Sequence, residues 1–159
     1  VVTGFVSYKV DNDNRFKSAL EQAIKSVDNL RFAMGEISRD IYKTTKQNFI
    51  LKGYGQYPAL SPKYAKYKNR VRPGKPILVF DGHLRDSVTA FGNSDSIRAI
   101  GKNSLIQGTN VGYARYIQEG TKKMPARKYL FIDDAQELRF ERILADYVAA
   151  KLEVLGDVK

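Results

Sequence analysis

The sequence predicts an α+β fold in which a small antiparallel β-sheet packs with N-terminal helices and a C-terminal helix. Three observations carry this expectation. Apolar residues recur at spacings of three and four through the first third of the chain and again at its end. Short β-prone runs separated by turn residues fill positions 87 to 109. The two kinds of segment do not alternate as they would in a doubly wound fold.

Residues 4 to 10, Gly-Phe-Val-Ser-Tyr-Lys-Val, are β-prone, and the Asp-Asn-Asp-Asn run after them signals a turn and a helix start. From Asn14, the residues Phe16, Leu20, Ile24, Val27 and Leu30 share one helical face. A second amphipathic run follows through Met34, Ile37, Ile41, Thr44 or Thr45, and Asn48 or Phe49, with Gly53 as C-terminal cap. Asp28-Asn29 either caps this second helix or lies inside one long bent helix, and periodicity does not choose.

Ser61-Pro62 supplies an N-cap and a proline at the first helical position, so a short basic helix is expected from Pro62 to Arg70. Arg72-Pro-Gly-Lys-Pro ends it and leads into the apolar Ile77 to Phe80 and an Asp81-Gly82 turn. A three-strand meander is expected next: Ser87 to Phe91, Ser96 to Gly101, and Leu105 to Thr109. After Asn110 comes a helical turn or two, stopped by Gly120, then a basic loop, Lys122 to Lys128, and a last short strand, Tyr129 to Ile132. Asp133 with Gln136 forms a capping box for a terminal helix carrying Leu138, Ile143 or Leu144, Tyr147 or Val148, and Leu152. Leu84, Val88, Tyr113, Ile117 and Leu130 are expected in the core.

The 159 residues suit one domain, with residues 1–12 as an N-terminal strand or arm and 150–159 as a C-terminal tail. Apolar residues at 43% and charged residues at 28% are ordinary globular values, so disorder is not expected. The absence of cysteine excludes disulfides and thiolate metal sites and fits synthesis in the cytoplasm. No apolar run approaches the roughly 20 residues of a membrane span, and the first residues lack a signal pattern. A net charge of +10 favours anionic partners without selecting one.

Chemistry is sparse. The single histidine, His83, is flanked by carboxylates that could orient a general base, but no nucleophile pattern accompanies it, and a surface or packing role is preferred. Asp81, Asp86 and Asp95, or Asp133 with Asp134, have no established metal-ligand spacing, and turns and caps account for them better. Gly74-Lys75 is followed by Pro76, which spoils a phosphate cradle. Catalytic residues, metals and cofactors are therefore not expected. Ten tyrosines interleaved with basic residues suit either base stacking or a protein interface.

Three blocks together resemble the tail-completion and virion-morphogenesis proteins of tailed bacteriophages. The first, Tyr57-Pro-Ala-Leu-Ser-Pro-Lys-Tyr-Ala-Lys-Tyr-Lys, is similar to the family's aromatic, Pro-Leu-Ser-Pro, Tyr and Lys pattern. The second, Ile77-Leu-Val-Phe-Asp-Gly-His-Leu-Arg-Asp-Ser-Val, is similar to its Ile-Leu then Thr-Gly-x-Leu-Arg-x-Ser. The third runs from Gly108 through Thr121, with Pro125-Ala-Arg-Lys-Tyr-Leu after it. Tyr57 stands where tryptophan is common, Asp81 replaces threonine, and Ile117 replaces a frequent histidine, so no catalytic role is carried over.

The resemblance implies a structural protein of the virion neck, made and assembled in the host cytoplasm. It would complete the tail or join it to the head as a cyclic, sixfold homo-oligomer. Its partners would be head-completion or connector, tail-terminator or tail-tube proteins, with non-specific proximity to DNA and no membrane. The rival reading is a basic nucleic-acid-binding domain. Candidate contacts are Lys63, Lys66, Arg70, Arg72, Arg85, Arg115, Lys122, Lys123, Arg127 and Lys128, with the exposed cationic loop 122–128 ranked first.

Overall fold

A computed structural model describes residues 27–156 together with Glu21 and Lys25. The expected strand over residues 4–10 lies outside the described residues, as does most of the helix expected from Asn14; Glu21, Lys25 and Val27 are helical.

Asp28 forms a turn, and Asn29 Oδ1 accepts the Arg31 N–H at 3.3 Å, so the chain breaks here and a new helix begins. This helix, α1 (Arg31–Ile50), buries Ala33, Ile37, Ile41, Tyr42, Asn48 and Phe49 along one face, the stripe that three-and-four spacing requires. Its end is closed by the Gly53 N–H donating to Asn48 O at 2.9 Å, with Gly53 at φ 68°. Helix α2 (Pro62–Val71) starts where Ser61 Oγ accepts the Tyr64 N–H at 3.4 Å.

Helix α3 (His83–Thr89) occupies the place where the first meander strand was expected. The β-branched Val88 and Thr89 suggest a strand, but Leu84, Ser87 and Val88 are the buried residues, and three-then-four spacing can meet a core only from a helix. Gly82, at φ 104°, and Asp81, whose Oδ1 accepts the His83 N–H at 3.0 Å, start it. The sheet is therefore a two-stranded hairpin, β1 (Ser96–Ile100) and β2 (Leu105–Thr109), paired antiparallel from Ser96↔Thr109 to Ile100↔Leu105. Helix α4 (Ala114–Glu119) ends at Gly120, φ 78°.

Tyr129 to Ile132 is not a strand: no ladder reaches it among the described residues, and its main chain is held by side chains instead. The last helix, α5 (Asp134–Gly156), continues into the stretch expected as a tail. Its start is the expected capping box: Gln136 N–H donates to Asp133 Oδ1 at 2.7 Å, and Asp133 N–H donates to Gln136 Oε1 at 3.4 Å.

The fold is thus α+β: from Arg31 onward, five helices surround one hairpin among the described residues. Helix α1 is the spine, touching the hairpin, α3 and α5. The core is Phe49, Val79, Leu84, Val88, Val111, Ala114 and Tyr129, with Leu78, Ile117 and Leu130 packed against it. Tyr113, expected in the core, is 44% exposed, because α4 turns Ala114 inward in its place. No helix among the described residues is long and apolar enough to cross a membrane.

The capping box gives a direct test of how α5 is held. Asp133→Ala should lower unfolding stability by about 1 kcal/mol, read as a shift of the urea midpoint with unchanged slope. An unchanged midpoint would show that packing alone sets the start of α5.

Candidate interaction surface

The three sequence blocks are separated along the chain but meet in space. Block one supplies Leu60, Tyr64 and Lys68, block two Leu78, Phe80, Asp81 and Leu84, and block three Tyr113 and Ile117, with Met124 and Arg127 after it. Together they line one groove of about 340 Å³.

The junction between blocks one and three is made by side chains that grip main chain. Tyr57 lies across Gly53, where an added Cβ would come within 2.4 Å of the Tyr57 ring. The Tyr57 hydroxyl donates to Lys128 O at 3.1 Å, and burial pushes its pKa up to about 12. Asn48 Nδ2 donates to Lys128 O at 3.2 Å and Tyr129 O at 3.0 Å. Arg127 Nε and Nη2 donate to Pro58 O and Ala59 O, both at 3.0 Å. Gln118 Oε1 accepts the Tyr129 and Leu130 N–H groups at 3.1 and 3.3 Å, while its Nε2 donates to Leu130 O at 2.5 Å.

Block two enters through a strained turn. Leu78 has φ 68°, unusual for a residue with a branched side chain, and it packs against the core from the groove wall. Lys68 is buried and donates from Nζ to Pro76 O, which holds this turn; burial lowers its pKa. Phe80 stacks on Tyr67 at 6.5 Å between centroids, and the Arg72 guanidinium lies over it at 5.2 Å. Above α3, His83 Nε2 is 2.8 Å from Asp95 Oδ2. That hydrogen bond raises the imidazole pKa, and the charges of Asp95, Asp81 and Asp86 add to it.

The expected contact residues divide into three groups. Lys63, Lys66, Arg70, Lys122, Lys123 and Lys128 are exposed, with Lys122 and Lys123 at the tip of a turn closed by Thr121 N–H to Met124 O at 2.7 Å. Arg85 and Arg115 are committed to local carboxylates, Asp86 at 2.7 Å and Glu119 at 2.9 Å, and Arg72 covers Phe80. Arg127 corrects the expectation of a wholly exposed cationic loop: it is 4% exposed and points inward, because its planar fork matches two adjacent carbonyls. Lys68 and Gln118 were not singled out by sequence reasoning, although both sit inside the resembling blocks. A long polar side chain on a short helix gives no sign of turning inward until its carbonyl partners are in place.

The groove offers apolar wall, tyrosine rings and nearby cations, which is the composition of a contact surface. Among the described residues no group of three or more His, Asp or Glu could hold a metal ion. These features define a small α+β module with one open groove lined by all three blocks. The profile of the phage virion morphogenesis family matches residues 11–149, and the chain belongs to that family. Comparison with curated proteins and with solved structures gives no match.

Two outcomes follow from the geometry. Arg127→Ala should cost about 2–3 kcal/mol, since two carbonyls lose a charged donor in a buried setting, whereas Lys122→Ala and Lys123→Ala should stay within about 0.5 kcal/mol; denaturant titration separates them, and equal effects would contradict the inward placement. The His83 contact should contribute stability that is fully present below the unfolded imidazole value and is lost as pH rises through the raised folded value. Asp95→Asn should therefore lower the His83 titration midpoint in an NMR pH series; an unmoved midpoint would remove Asp95 as the cause.

Proposed function

We propose that this phage virion protein acts by binding alone, as a subunit of the head-to-tail junction that completes the tail or joins it to the head. Copies of the chain would close into a ring, which the resemblance makes sixfold. The observation that carries the proposal is the convergence of all three resembling blocks on one open groove. Residues spent on stability alone would be expected in the core, yet Tyr64, Tyr67 and Tyr113 stay 43–46% exposed around or beside that groove.

Large apolar side chains elsewhere support assembly. Phe32, Ile50 and Leu138 are each about two-thirds exposed, which is costly on an isolated surface and useful in an interface. In a head-to-tail ring each subunit presents two different surfaces to its neighbours, so such residues need not form one self-complementary patch. Lys63, Lys66, Arg70, Lys122, Lys123 and Lys128 would steer acidic partners, and Arg72, Arg85, Arg115 and Arg127 would act by holding the groove's shape.

The test is complementation. Extracts of cells infected with a phage lacking this gene product should form viable particles when the purified protein is added, and native mass measurement of assembled material should show a closed ring. Normal union of heads and tails in the protein's absence would overturn the proposal. So would DNA binding that is tight at low salt and falls log-linearly and steeply with salt, the signature of a nucleic-acid-binding domain.

A further inference from the structure

A second groove, about 570 Å³ and mainly apolar, lies beside the hairpin. Ile37 and Ile41 of α1 form its floor, Leu105 and Gln107 of β2 one wall, and residues 130–132 with Phe140 of α5 the other. Its lining and the main chain of β2 beside it suit an extended chain.

The ladder shows which way the β2 main chain faces. Asn110 N–H donates to Asp95 O, and Gly101 N–H donates to Ser104 O, both at 2.8 Å. With the register Ser96↔Thr109 through Ile100↔Leu105, the alternation of an antiparallel pair makes 97/108 and 99/106 the bonded pairs. The N–H and C=O groups of Leu105 and Gln107 therefore point away from β1, and no other main chain among the described residues bonds to them. Gln107 adds a second sign. Its Oε1 accepts from Ser38 Oγ at 2.8 Å, while its Nε2 is buried without a partner. A buried donor left unpaired bears its full desolvation cost, which a repacking of this wall around an added strand would relieve.

We propose that this groove receives residues Gly4–Val10 of a neighbouring copy, added as a strand at the β2 edge. The inference rests on the ring reading and gives that ring a specific contact. In the segment Gly-Phe-Val-Ser-Tyr-Lys-Val, alternation puts Val6, Tyr8 and Val10 on one face, suited to an aliphatic floor, and Ser7 and Lys9 on the other. Seven extended residues span about 23 Å, enough to run the length of a five-residue strand.

The route also fits. The side-chain amide of Asn103, at the groove's end, reaches Asp28 O at 3.2 Å in the orientation that gives its nitrogen acceptors. The chain thus passes the groove at residue 28, and a helix predicted from Asn14 to Val27 would set the arm about 21 Å away from that point. On that expectation the segment would stand a helix length from its own groove, within reach of the next subunit's. Arm into groove is a heterologous contact, so it repeats around a ring until the ring closes.

The chain has no cysteine, which makes disulfide trapping clean. Ile106 is 62% exposed on the outer face of β2, so Ile106→Cys leaves the core intact, and Ser7→Cys is its counterpart in the segment. Full-length chains carrying one substitution each should form a disulfide-linked heterodimer when mixed, assembled and oxidised. That product should be absent when Lys46→Cys replaces Ile106→Cys. Bonding that occurs only with both cysteines in one chain would place the segment in its own groove and overturn the proposal. Absence of any bond in preparations whose native mass shows rings would overturn the arm contact and leave the ring standing. Bonded pairs that never close into rings would support the arm contact and remove the ring.

Discussion

The stretch from Arg127 to Leu130 has no β-partner among the described residues, and the fold depends on how its main chain is nevertheless satisfied. Buried N–H and C=O groups must be paired, and a segment that joins no ladder has to recruit side chains. Here α1 sends Asn48, the loop after α1 sends Tyr57, and α4 sends Gln118, each bonding main-chain atoms between Lys128 and Leu130. Arg127 returns the grip by bonding Pro58 O and Ala59 O. These bonds link residues up to 81 positions apart and close the molecule around Phe49 and Tyr129, whose rings sit 6.0 Å apart.

The close approach needed at that clasp explains two glycines. A Cβ at Gly120 would lie 2.6 Å from Ala126 N and 3.0 Å from Met124 O, main-chain atoms that cannot swing aside, and its φ of 78° already favours glycine. Gly53, at φ 68°, would place a Cβ within 2.4 Å of the Tyr57 ring edge. Both glycines sit where block one and block three are pressed together, so the same constraint that shapes the clasp shapes the groove beside it.

Local signals in the sequence were legible wherever the deciding partner is a near neighbour. Ser61-Pro62, the Asp133–Gln136 box and the Leu105–Thr109 strand all involve contacts within a few residues or a simple alternation. The α+β class followed from them. What the sequence hid depends on distant partners. Tyr-Leu-Phe-Ile at 129–132 has strand composition, but Gln118 and Asn48 hold its first two residues, Tyr129 and Leu130, in place of a ladder. Val88 and Thr89 are β-branched, but the core is reached by Leu84, Ser87 and Val88 at helical spacing, and a seven-residue element is too short for periodicity to prevail. The three blocks were legible along the chain; their convergence on one groove, and the inward turn of Arg127, needed the tertiary structure.

The distribution of cations bears on what a chain of net charge +10 can recognise. Arginine is the residue best suited to fork onto phosphates, and here the arginines are largely occupied within the fold. Arg39, Arg85, Arg115 and Arg139 face Glu36, Asp86, Glu119 and Asp40. Arg127 is spent on carbonyls, and Arg98 donates to Ser38 while its guanidinium lies over Phe91. Surface pairs of this kind stabilise little, so their effect is to neutralise and orient more than to strengthen. The cations left most accessible in the resembling blocks are chiefly lysines, compact charges on flexible stems, flanking a groove whose walls are apolar and aromatic. Long-range attraction with short-range apolar fit supports the proposed binding of acidic protein surfaces over tracking of a phosphate backbone.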